Sequence, residues 1–110
     1  MTDKEIKKFI TDLDIEIDNY RKLVLEGTKQ SIYDSCYEIN AYETLHDFLG
    51  DNCKNFNRKY FPPTDILGDV YYRFMKTSYE LQSDDLREFI NEYVGDNKKY
   101  KRFQNCEDME

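Results

Sequence analysis

The chain has 110 residues, 16 basic against 23 acidic for a net charge of -7, and is 39% hydrophobic and 15% aromatic. That length makes one domain with a modest core, and that charge excludes general electrostatic binding of nucleic acid while favouring solubility and basic partners. Glycine and proline are scarce, four and two, which disfavours a turn-rich all-β fold.

No run nears the ~18 apolar residues of a membrane span, and MTDKEIKKF lacks the apolar core of a signal peptide. The expected location is the cytoplasm, away from membranes. With Ala41 the single alanine beside ten tyrosines and seven phenylalanines, the core must be built from large side chains. The spacing of apolar residues predicts an all-α bundle of about four helices around a central second helix. Residues 1–95 form one helical domain and 96–110 a charged C-terminal tail.

Thr2-x-x-Glu5 matches a capping box. Ile6, Phe9, Ile10, Leu13, Ile17, Tyr20 and Val24 then recur every three or four residues, predicting a helix from about Asp3 to Glu26, ended by Gly27. Inside it Asp12, Asp14, Glu16 and Asp18 occupy alternate positions, spread over both flanks of the apolar stripe. The i,i+4 like-charge pairs cost about 0.2–0.5 kcal/mol each, partly offset by Lys8 and Lys22. Such a run is either a solvated face or an acidic strip for a basic partner. Ile15 lies almost opposite the stripe, either touching a neighbouring helix or serving as an apolar anchor with a charged rim. Replacing the four acids of the strip with Asn or Gln is expected to leave the fold intact, even slightly stabilised, and, if the strip binds, to weaken binding by at least about tenfold.

The second helix is expected over Ser31–Gly50, capped by Thr28 or Ser31. Its apolar positions change side part-way, from Ile32, Tyr33, Cys36 and Ile39 to Ala41, Leu45, Phe48 and Leu49. A helix apolar on two sides in succession is expected to be covered on both, which makes Cys36 a small buried residue. Its surface acids are Asp34, Glu38, Glu43 and Asp47, and the last three join the strip of the first helix and Ile15 as candidate partner-binding residues.

The segment DNCKNFNRKYFPP carries Lys54, Arg58 and Lys59 among aromatics, with Phe56, Tyr60 and Phe61 placed to tuck onto the core. Basic residues between aromatics can stack on single-stranded nucleic acid, but acidic surroundings argue against it here. A third helix is expected after a Thr64 cap, with Ile66, Leu67, Val70, Tyr71 and Phe74 inward and Gly68 allowing close approach to the central helix. A fourth follows a Ser83 cap, with Leu86, Phe89, Ile90, Tyr93 and Val94 inward and Gly95 closing it. The tail sets Lys98, Lys99, Lys101 and Arg102 around Tyr100 and Phe103, and ends in Glu107, Asp108 and Glu110.

Cys36, Cys53 and Cys106 form no CxxC, and His46 has no neighbouring Cys or His to share a metal with. No phosphate loop, GxSxG elbow or HExxH helix is present. No enzyme, metal or cofactor is expected.

In size, charge and aromatic-rich helices the chain resembles the small acidic proteins that phages and mobile elements of AT-rich Gram-positive bacteria turn against host defences, anti-CRISPR proteins above all. The resemblance involves no motif and carries over no residue. It implies a stoichiometric inhibitor whose carboxylates occupy a basic nucleic-acid-binding channel, of a CRISPR effector or another such protein, without binding nucleic acid itself. The alternative is a helical adaptor, monomeric or homodimeric, that binds through an aromatic patch drawn from Tyr33, Tyr37, Tyr42, Tyr71, Tyr72 and Tyr79.

Overall fold

The computed structural model describes residues 1–103. Five helices follow one another: α1 (Asp3–Leu25), α2 (Lys29–Asp34), α3 (Cys36–Asn52), α4 (Ile66–Phe74) and α5 (Ser83–Lys99), with 3-10 turns at Cys53–Asn55 and Arg58–Tyr60 between α3 and α4. Among the described residues there is no strand, and no helix is long and apolar enough to cross a membrane. Cys106, Glu107, Asp108 and Glu110 lie outside the described residues.

α1 starts as its sequence predicts. The Thr2 hydroxyl accepts from the Glu5 N–H at 3.1 Å while the Glu5 carboxylate accepts from the Thr2 N–H at 2.8 Å, satisfying two of the donors a helix start leaves open. Phe9, Leu13 and Ile17 are its buried stripe.

The expected second helix is two helices. At Ser35 (φ -92°, ψ 6°) the backbone N–H is shared between the Ser31 and Ile32 carbonyls, and the side-chain hydroxyl donates back to the Ser31 carbonyl at 2.9 Å. Back-bonding of this kind bends helices. The change of apolar side in the sequence is therefore a bend, and the expected cover on both sides is absent. α2 buries no residue, Tyr33 is 74% exposed, and Cys36 is exposed rather than buried. Only the second half, through Ala41, Leu45 and Leu49, enters the core. α3 is nonetheless central: it touches each of the other four helices.

The segment between α3 and α4 tucks in as expected. Phe61 is buried edge-on against Phe9 at 5.3 Å between ring centroids. Arg58 is spent inside the loop, donating to the Phe61, Pro62 and Pro63 carbonyls, so it does not face outward for nucleic acid.

Neither predicted cap of the last two long helices holds. α4 begins after Asp65, not Thr64, and Asp65 adopts the left-handed conformation (φ 54°) without capping by its side chain. α5 follows Gln82 and begins with Ser83, then runs through Gly95 to Lys99. The extra turn is held by Asn97, which is fully buried. Its amide donates to the Tyr60 carbonyl at 2.8 Å, and its oxygen accepts from Arg73 at 3.3 Å and Arg102 at 3.0 Å. Arg102 and the buried Tyr93 hydroxyl also meet the Asp69 carboxylate, at 3.3 and 2.6 Å. Residues 96–103 thus belong to the folded domain and not to a separate tail.

Candidate functional site

The four acids of α1 divide as helical geometry requires. Positions two apart fall on opposite flanks of the buried stripe, so Asp14 and Asp18 face α3 while Asp12 and Glu16 face α4. None of the four is a free charge.

On the α3 side His46 and Arg21 each bridge a pair of carboxylates. His46 meets Asp14 at 2.7 Å through Nε2 and Asp47 at 3.0 Å through Nδ1. Arg21 meets Glu43 at 3.4 Å and Asp18 at 3.6 Å. Burial disfavours the charged imidazole, but hydrogen bonds and charge from Asp14 and Asp47 outweigh it, and the His46 pKa is raised. The α1–α3 seam therefore carries four carboxylates on two packed helices with fewer cations than acids. Glu38 lies on another face of α3, where it accepts from the Tyr20 hydroxyl at 2.8 Å.

On the α4 side Asp12 pairs with Lys8 at 3.0 Å. Glu16 does something the sequence did not suggest: it caps α4 from another helix. Its two carboxylate oxygens accept from the backbone N–H groups of Leu67 at 2.8 Å and Gly68 at 2.9 Å, the donors that Asp65 leaves unsatisfied. Even so its pKa is raised, because burial of the carboxylate and the neighbouring Asp65 outweigh the N–H bonds. The expectation that Asn and Gln at all four positions would stabilise the fold is corrected here. Each acid has a local cation or N–H partner that the replacement would lose.

Beside Glu16 lies a groove of about 580 Å³ between α1 and the start of α4. Ile15 and Leu23 line it and stay 54% and 69% exposed. Its back wall is an aromatic stack, Tyr20 on Tyr42 at 4.0 Å with rings nearly parallel, continued by Tyr71 at 5.0 Å from Tyr42. Burial, with Glu38 and Glu16 nearby, pushes the Tyr42 phenol up to about 12. Gly68 forms part of the lining, and a methyl built on it would meet Glu16 Oε2 at 3.7 Å and the Tyr42 hydroxyl at 3.8 Å. Those are ordinary contacts with side chains, so close helix approach does not demand glycine there.

The structure thus brings Asp14, Asp18, Glu43 and Asp47 together, places Glu38 apart from them against the Tyr20 hydroxyl, and sets Ile15 with Asp12 and Glu16 on the groove side. Sequence reasoning missed Leu23, Asp65 and the Tyr20–Tyr42 stack. Leu23 fits no apolar stripe, which was the one available signal. Among the described residues no group of three or more His, Cys, Asp or Glu side chains is placed to hold a metal. The chain matches no family model, and no curated protein or solved structure matches it either.

Proposed function

We propose that the chain is a stoichiometric, non-catalytic binder of a basic protein surface. The observation that carries this is the α1–α3 seam, where Asp14, Asp18, Glu43 and Asp47 are held on two packed helices by only His46 and Arg21. Carboxylates fixed on rigid helices present charge at little entropic cost, and a channel that binds phosphates by charge accepts them in place of a backbone. In its finer form the partner is a nucleic-acid-binding protein of host defence and the chain an anti-CRISPR-like inhibitor acting in the cytoplasm. The test is capture of partners from the cytosol of a bacterial host, repeated with added duplex DNA. Capture of a nucleic-acid-binding protein, competed by DNA and lost when Asp14, Asp18, Glu43 and Asp47 are neutralised together, is the expected result. Capture indifferent to both overturns the proposal.

A second reading is favoured by the tyrosines. Tyr33, Tyr37 and Tyr72 stay mostly in water, while Tyr20, Tyr42 and Tyr71 stack against one another. Tyrosine in this setting suits a protein interface, either with another protein as an adaptor or with a second copy. Tyr33→Ser together with Tyr37→Ser, read by partner capture and by sedimentation, separates this reading from the acidic one.

A further inference from the structure

We propose that the groove between α1 and α4 receives a basic, aliphatic segment of the partner protein, with a Lys or Arg side chain as its anchor. The proposal deepens the acidic-binder reading and rests on it. Ile15 and Leu23 form an apolar wall that no part of the described chain covers. At the floor Glu16 Oε2 and the Tyr42 hydroxyl lie 3.7 and 3.8 Å from the position of a Cβ on Gly68, and the Asp65 Cβ lies 3.9 Å from it. Asp65 is exposed and has no ion pair among the described residues, and Lys8, the one cation lining the groove, is taken by Asp12.

Charge complementarity decides the occupant. Lys8 and Asp12 cancel and Glu16 is held by backbone N–H groups, which leaves Asp65 as the carboxylate without a partner among the described residues in the groove of a chain that is itself at -7. An acidic or phosphorylated segment is repelled. A purely apolar one would cover the two carboxylates and the Tyr42 hydroxyl without supplying donors, which is costly. A Lys or Arg side chain satisfies both halves of the groove. Its methylene stem lies along Ile15 and Leu23, and its charged head donates to Asp65, Tyr42 and the remaining lone pairs of Glu16.

The probe is an amphipathic peptide of leucine and lysine, with a leucine–glutamate peptide of the same pattern as control. Binding to the full chain is read by fluorescence anisotropy and mapped by backbone amide shifts in nuclear magnetic resonance. The lysine peptide should bind and shift the amides of Ile15, Leu23, Asp65 and Gly68, and the glutamate peptide should not bind. Asp65→Asn, which keeps a residue tolerant of the left-handed conformation, should weaken binding about threefold. Ile15→Ser with Leu23→Ser should weaken it about tenfold. Both replace exposed side chains, and circular dichroism confirms that each variant remains folded. Lysine-peptide binding that maps to the Asp14–Asp47 seam and ignores these variants overturns the groove while leaving the acidic-binder reading standing. Failure of the lysine peptide to bind anywhere overturns both. Groove shifts that grow with protein concentration without peptide mean that a second copy is the occupant, and overturn the proposal.

Discussion

Glu16→Ala is the replacement that most directly tests how this chain is assembled. Among the described residues Glu16 is the only side chain that accepts hydrogen bonds from the first turn of α4, at 2.8 and 2.9 Å. Loss of a helix cap costs about 0.5–2 kcal/mol, and here the two abandoned N–H groups are partly covered by protein, which favours the upper end. A loss of about 2 kcal/mol is expected, or about 8 °C in Tm for a domain of this size. Ionisation itself contributes little, because burial and Asp65 raise the Glu16 pKa in spite of the N–H bonds. Glu16→Gln, which retains one acceptor oxygen for the two N–H groups and removes the repulsion with Asp65, should therefore cost less than Glu16→Ala, about 1 kcal/mol. The sign for pH follows from the raised folded value. Stability linked to Glu16 is fully present below the unfolded pKa and is lost as pH rises through the folded one. Urea denaturation of the parent and both variants measures the order, and Asp12→Ala, which loses only an exposed ion pair, is the control at about 0.5 kcal/mol or less. Amide exchange adds a local readout, since Leu67 and Gly68 should lose protection in Glu16→Ala. If Glu16→Ala melts with the parent, or Asp12→Ala costs as much, α4 is not capped in this way.

The His46 pKa is raised in the folded protein, so the stability it contributes is complete below the unfolded value near 6.5 and lost as pH rises through the folded one. The Tm difference between the parent and His46→Gln should shrink by about 2–4 °C between about pH 5.5 and 8.5, and a constant difference would show that the bridge to Asp14 and Asp47 does not form. Asn97→Ala leaves the half-buried Tyr60 carbonyl without this donor and takes one acceptor from each of Arg73 and Arg102, which keep Asp96 and Asp69. It should cost about 2–4 kcal/mol in urea denaturation, and a cost below about 1 kcal/mol would mean that water replaces the amide. Gly68→Ala meets only ordinary contacts, so it should gain up to about 0.5–1 kcal/mol; destabilisation would indicate that the space over Gly68 is needed.

What could be read in advance follows one physical division. Periodicity of apolar residues reports which face of a helix is buried, and it placed Phe9, Leu13, Ile17, Leu45, Leu49, Phe89, Ile90 and Tyr93 in the core correctly. A local cap such as Thr2 with Glu5 is equally legible, because both partners lie within one turn. The failures concern polar groups whose partners are distant in sequence. Glu16 reaches residues 67 and 68, His46 reaches Asp14, and Asn97 reaches Tyr60. No spacing rule encodes those pairings, so Glu16 looked like one more surface acid and Gly95 like a helix end. Ser35 failed for a related reason: a bend and a helix covered on two sides produce the same change of apolar face, and only the exposure of Tyr33 and Cys36 separates them. The same division shapes the functional surface. Acids that pair across elements are fixed in place by those pairs, and so the seam of Asp14, Asp18, Glu43 and Asp47 is both the joint between α1 and α3 and a rigid array of charge. A partner that displaces His46 or Arg21 from that joint would loosen it, whereas one that binds the outward oxygens would leave it intact. Binding by such a seam should therefore leave the α1–α3 amides as protected from exchange as in the free chain, and a drop in their protection on complex formation would rule out rigid docking.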